Sequence, residues 1–178
     1  MAVRFGNRRP REPLAPERAA SVEACREAAL KLLERSRRTR SDLTRRLRDK
    51  GYVEPVIEQV LERLAGVGLV DDGEYARAYL RGRWGRRAAG WRRLEQDLRT
   101  RGVGADDIAA ARRALEADVG PADEVAAARR VLEQARRRLE RRDPRERRRL
   151  QWALLMRRGF DPETITAALG SRDDALGE

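Results

Sequence analysis

The 178-residue sequence predicts an all-α protein, an elongated tandem array of three three-helix repeats built as helix-turn-helix-like modules. Three observations predict it. The phrases LRDKGYVEPVI (47–57), LRTRGVGADDI (98–108) and LMRRGFDPETI (155–165) share one design: a leucine, a basic residue before glycine, an apolar residue after it, and a closing isoleucine. Elsewhere apolar residues recur at three and four, the helical period, and nothing alternates at strand period for long. The composition is 40% hydrophobic and 40% charged with only 4% aromatic residues. That suits slim helical units, and it is too apolar and too regularly patterned for a disordered chain.

Residues 1–20 read as a flexible basic tail, because Pro10, Pro13 and Pro16 forbid a continuous helix there. Residues 21–69 form the first repeat. Val22, Cys25, Ala29 and Leu32 mark the apolar stripe of its first helix. After the arginine-rich link RSRRTR, Ser41-Asp42 offers an N-cap, and Leu43 and Leu47 sit four apart. Gly51 ends this second helix, since glycine takes the left-handed conformation without steric penalty. Pro55 suits the first turn of the third helix, where its missing N–H costs nothing, and Val56, Val60, Leu61 and Leu64 carry the buried stripe.

The second repeat, 70–120, repeats the cycle. Asp71 and Asp72 are placed to cap its first helix, whose inner face holds Tyr75, Ala78, Tyr79 and Trp84. The next helix runs from Trp91 through Leu94 and Leu98 to Gly102. The last has Asp106 and Asp107 in its first turn, where the helix dipole favours them, and carries Ile108, Ala111 and Leu115. The third repeat, 121–170, opens at Pro121. Val125, Ala128, Leu132, Ala135 and Leu139 extend one stripe over about five turns, so this helix is the longest. Asp143-Pro144 starts the next helix, which ends at Gly159, and Asp161-Pro162 starts the last. Residues 171–178 form a C-terminal tail. Repeats this small bury little surface alone, so neighbours are expected to lean on one another.

Charge follows the same cycle. The formal net charge is +11 and the pI about 11.1, favouring a polyanionic or acidic partner. Residues 35–50 and 81–101 each hold eight basic and two acidic side chains, and 129–149 hold eleven and four. The stretches 54–80, 102–128 and 161–178 are each net −4. Stacked in one orientation, the basic regions would make a long cationic stripe. Candidate binding residues are Arg37, Arg38, Arg40, Arg45 and Arg46 in the first block and Arg86, Arg87, Arg92 and Arg93 in the second. The third block contributes Arg137, Arg138, Arg141, Arg148 and Arg149. Their task is to neutralise phosphates or acidic side chains, with a binding constant that falls steeply with salt.

Other chemistries find little footing. There is no histidine, which removes the commonest general base and a favoured metal ligand, and no cofactor or metal is expected. A nuclease is disfavoured further by the lack of clustered carboxylate ligands. Capping explains Asp71-Asp72 better than a magnesium site does. The single cysteine, Cys25, lies on an apolar stripe and reads as core in a protein of the reducing cytoplasm. Gly82, Gly85 and Gly90 lack phosphate-loop spacing. Trp84, Trp91 and Trp152 are expected to pack between helices rather than stack on bases. The amino terminus shows neither a signal peptide nor a membrane span.

The segment from Arg35 to Leu80 resembles the central signature of the RecX family, bacterial regulators of the recombinase RecA. The matching residues are Ser41, Leu43 and Leu47, Lys50-Gly51, then Gly68 to Asp72, then Tyr75-Ala76. The phrase RRGFDPETITAAL is similar to the family's closing module, and the resemblance spans roughly 22–170. Val70 stands where leucine is commoner in the family, and the linker and third module are unusually rich in arginine. The chain is expected to be a monomer. The resemblance implies three tandem three-helix repeats that bind RecA and lodge in its DNA filament. It also implies inhibition of filament assembly, ATP hydrolysis and strand exchange, and binding to single- and double-stranded DNA. The alternative reading is a DNA-binding protein that acts without a recombinase, since three-helix modules can place a helix in the major groove.

Overall fold

The computed structural model describes residues 14–83, 89–121 and 123–170. It is all-helical over these residues, with ten helices and no strand. The chain divides between Asp71 and Asp72 into two compact units.

The first unit holds α1 (Pro16–Ala19), α2 (Val22–Arg35), α3 (Arg40–Arg48) and α4 (Glu54–Gly66). Helices α2, α3 and α4 pack on one another around Cys25, Ala29, Leu43, Leu47, Tyr52, Ile57, Val60, Leu61 and Leu64. Burial brings in the polar end of Tyr52 as well, and its hydroxyl donates to the Ala24 carbonyl at 2.9 Å. Two local expectations need correction here. Residues 14–20 are more than a tail: Pro16 opens a single helical turn, Ala19 is buried, and the Val53 N–H donates to the Ala19 carbonyl at 3.2 Å. Apolar Leu14 packs on the core beside Gly51, which ties the segment down. The cap of α3 is Thr39, not Ser41-Asp42. The Thr39 hydroxyl accepts from the Asp42 N–H at 3.1 Å, so the helix starts at Arg40 and Asp42 falls in its first turn.

The second unit holds α5 (Asp72–Arg83), α6 (Trp91–Thr100), α7 (Ala105–Val119), α8 (Glu124–Leu139), α9 (Pro144–Arg157) and α10 (Pro162–Leu169). It contains two cores. One lies between α5, α6 and α7, around Ala76, Tyr79, Leu80, Leu94, Leu98, Ile108, Ala111 and Leu115. The other lies between α8, α9 and α10, around Ala128, Val131, Leu155, Phe160 and Ile165. The buried face of α5 centres on Ala76 and Leu80, with Tyr75 and Ala78 only half-buried, because α7 packs against that side. Trp84 lies outside the described residues. In α8, Val131 is buried while Leu132 is partly covered, a small rotation of the expected stripe. At 16 residues α8 is the longest described helix. Asp123, Asp143 and Asp161 cap α8, α9 and α10 through backbone N–H groups. Backbone N–H donation, chiefly from Thr164, holds the Asp161 carboxyl below the usual carboxylate range.

The phrase repeated three times in the sequence is a helix stop used three times. Gly51, Gly102 and Gly159 have φ of +95°, +80° and +82°, the left-handed region that glycine enters freely. In each, the glycine N–H bonds back to Arg48, Arg99 or Met156, and the next N–H bonds to Leu47, Leu98 or Leu155. The residue after the glycine, Tyr52, Val103 or Phe160, is buried with that leucine and with Ile57, Ile108 or Ile165. Each word of the phrase thus has a job: the leucine accepts and packs, the glycine turns, and the two later apolar residues close the core.

One junction inside the second unit is built from backbone. The Gly90 N–H donates to the Arg158 carbonyl at 2.9 Å. A Cβ on Gly90 would strike the Gly159 carbonyl, and a Cβ on Gly159 would strike the Arg93 backbone. Beside it, the Trp91 N–H donates to the Glu124 carboxylate at 3.3 Å. Helix α6 has no side-chain cap and no acid in its first turn, so Glu124 of α8 supplies the negative charge its N-terminus lacks. Burial pushes the Glu124 pKa up, and the Trp91 N–H partly offsets that.

Candidate functional site

The arginine blocks sort by what each guanidinium already holds. In the first block, Asp42 acts as a hub. Arg38 Nη1 reaches one carboxylate oxygen at 2.8 Å, Arg46 Nε the same oxygen at 2.7 Å, and Arg45 the other. Arg38 also donates to the Leu32 carbonyl at 3.0 Å and is largely buried. Burial alone would raise the Asp42 pKa, but the hydrogen bonds from Arg46, Arg38 and Arg45 outweigh it and bring it down to about 2. Arg37 and Arg40 are exposed and also have partners. Nearby, Arg48 grips Glu54 with two nitrogens, Nη2 at 2.8 Å. Much of this block's charge is therefore spent within the module.

In the second block, Arg86 and Arg87 lie outside the described residues. Arg92 is exposed, while Arg93 pairs with Asp97 at 3.2 Å. Sequence reasoning missed what surrounds that carboxylate. Tyr79 donates its hydroxyl to Asp97 at 2.9 Å, the Arg83 guanidinium lies 3.8 Å from the Tyr79 ring centre, and Arg101 lies 5.2 Å from it. These residues knit α5 to α6, and they show that α5 and α6 share their cations with an aromatic ring. Burial, together with the bond to Asp97, pushes the Tyr79 hydroxyl above its ordinary range. Trp91 is partly buried, with Arg112 stacked 4.5 Å from its ring centre, as the packing expectation held.

The third block differs. Arg137, Arg138, Arg141 and Arg149 are exposed and make no side-chain bond to another described residue. Arg148 does not belong with them: it is partly buried and donates to the Gly170 carbonyl at 3.0 Å, holding the end of α10. Arg145, which the sequence reading passed over, is also exposed, and its side chain bonds to no other described residue. Trp152 is 38% exposed, more open than the packing expectation, although three residues before the buried Leu155 it borders the core side of α9. The exposed, unspent cations thus concentrate at the end of α8 and along α9.

Among the described residues no group of three or more acidic, cysteine or histidine side chains gathers as metal ligands do. No described helix is long and apolar enough to cross a membrane. Cys25 is buried, and burial pushes its thiol up to about 11.

Three family patterns match in order along the chain: RecX first three-helix domain over residues 25–64, second over 71–111, and third over 122–169. The chain belongs to the RecX family. A regulatory protein RecX of Halorhodospira halophila is 37% identical over 165 residues, covering 89% of this chain and 94% of the relative. One from Mycobacterium ulcerans is 35% identical over 156 residues, covering 85% and 88%. A crystal structure of regulatory protein RecX aligns with a TM-score of 0.73 at 26% identity, over 80% of this chain and 70% of that one. RecX from Lactobacillus salivarius, at 22% identity and a TM-score of 0.70, covers 83% of this chain and 94% of its own, and shares the fold. Three RecX three-helix domains in an all-helical chain are what the resemblance led one to expect.

Proposed function

We propose that this RecX-family chain is a non-enzymatic regulator that binds RecA and its nucleoprotein filament and inhibits recombinase, ATPase and strand-exchange activity. The protein acts in the cytoplasm as a monomer, and its basic helices contact DNA phosphate or acidic RecA surface. The observation that carries the reading is the run of three RecX domains over most of the chain, joined to arginines on α8 and α9 that are unpaired among the described residues. Several weak cationic modules on one chain engage a polymer by avidity, so no module needs a strong site of its own. Arginine suits the task because its planar fork grips phosphate or carboxylate with two bonds at once.

The test is single-strand-dependent ATP hydrolysis by the RecA of the same organism as this protein is added. Hydrolysis is expected to fall with rising protein and to recover with salt. Unchanged hydrolysis at every ratio would sink the proposal. Equal affinity for bare DNA and RecA-coated DNA would instead favour a DNA-binding protein that works without the recombinase.

A further inference from the structure

Among the described residues six large apolar side chains stand exposed: Val53, Val67, Leu69, Val119, Trp152 and Met156. The first four lie at helix ends or in a turn, where exposure needs no explanation. Trp152 and Met156 lie within α9, four residues apart, and so share a face. Followed toward the N-terminus, that face continues through Arg149 and Arg145. Steps of four, three and four keep all of them on one side, opposite Leu154 and about a quarter-turn from the buried Leu155. The side chains of Arg145 and Arg149 have no partner among the described residues, and the nearest acid on the helix, Glu146, is engaged by Arg142 at 3.5 Å. Every free charge on the face is positive.

An aromatic ring interleaved with unpaired cations is the chemistry that recognises an unpaired nucleic-acid strand. Phosphates meet guanidinium groups, and a splayed base finds a flat apolar surface. A duplex offers the phosphates but keeps its bases stacked inside, out of the ring's reach. We propose that the exposed face of α9 holds single-stranded DNA, with Trp152 stacking on a base, Met156 extending the apolar platform, and Arg145 and Arg149 on the flanking phosphates. The face spans about 16 Å of helix axis, room for a strand of a few nucleotides. The proposal rests on the reading that this chain contacts DNA and adds which strand and which residue.

The experiment measures binding of the full chain to a labelled oligothymidine strand and to a duplex of the same length. Trp152→Ala is expected to lose about tenfold in affinity for oligothymidine, the worth of one stacked base, and to leave duplex binding unchanged. Trp152→Phe keeps a ring and is expected to keep most of the affinity. Intrinsic fluorescence should be quenched by oligothymidine in the parent chain and far less in Trp152→Phe. Arg149→Gln, which removes no apolar contact, is expected to weaken both probes and to lower the salt slope. Equal losses on both probes for Trp152→Ala, or no loss on either, would overturn the proposal. So would a Trp152→Ala chain that stops inhibiting RecA while binding oligothymidine normally, which would mark the face as a protein dock. A parent chain that inhibits RecA yet binds neither probe would overturn this inference and leave the regulatory reading standing.

Discussion

Asp42 shows how one carboxylate decides what a cluster of arginines is free to do. Its three guanidinium partners are on its own module, so the cluster serves stability before it serves binding. With the folded pKa at about 2 against an ordinary 3.8, Asp42 contributes stability above pH 4 that is lost as pH falls through 2. The side chain is only 21% exposed, and after allowance for screening of its outer partner Arg45 the contribution is about 1–2 kcal/mol. Asp42→Asn should therefore be less stable than the parent by that amount at neutral pH, and the gap should close in urea melts as pH falls from about 4 through about 2. A constant gap across the pH range would mean the carboxylate charge is not the source. Cys25 makes a second test at this scale. With its thiol pushed up to about 11 by burial, it should resist a thiol reagent at neutral pH until the chain unfolds. Reaction at the rate of a free thiol would show that the α2–α4 core opens readily.

At the scale of elements, glycines separate two costs that usually travel together. Gly68 has φ of +72° and open space around it, so Gly68→Ala measures the left-handed penalty alone, about 1–2 kcal/mol. Gly90 has an ordinary φ of −73° but no room for a Cβ, so Gly90→Ala measures the junction of α6 with the end of α9, about 1–3 kcal/mol. Gly159→Ala meets both obstacles and should be the least stable of the three in thermal melts; if it matches Gly68→Ala, the junction carries no stability. The first of these costs was legible in the sequence and the second was not. A glycine stop is a local motif, written into a dozen neighbouring residues, so Leu47, Gly51, Tyr52 and Ile57 and their two echoes could be read directly. The meeting of Gly90 with Gly159 joins residues far apart in the chain, and no spacing announces it. Thr39 was missed for a subtler reason: Thr39 and Ser41 are both good caps, and only the folded chain shows Thr39 turned inward at 1% exposure. Blocks of arginine were equally plain, but which of them are spent on Asp42, Asp97 or the Gly170 carbonyl depends on contacts that composition does not contain.

For the whole molecule, net charge is a poor guide to binding and unspent charge a better one. The three basic blocks carry nearly equal excess charge, yet Arg38 and Arg46 are held by Asp42, while Arg137, Arg138 and Arg141 stand exposed without partners among the described residues. A cation already paired releases few counterions when a phosphate arrives, because its own partner must first be displaced; an unpaired one releases its share in full. Reversing Arg137, Arg138 and Arg141 to glutamate should thus lower affinity for DNA or for the RecA filament and reduce the salt slope by about 2–3, roughly one counterion per residue. Neutralising Arg38 and Arg46 should lower the melting temperature and leave the slope nearly where it was. The pair of measurements discriminates. If the slopes respond equally to both sets, binding reads overall charge and the particular placement of α8 and α9 is irrelevant to it. If only the first set moves the slope, the third repeat is the cationic contact, and the first repeat keeps its arginines to hold itself together.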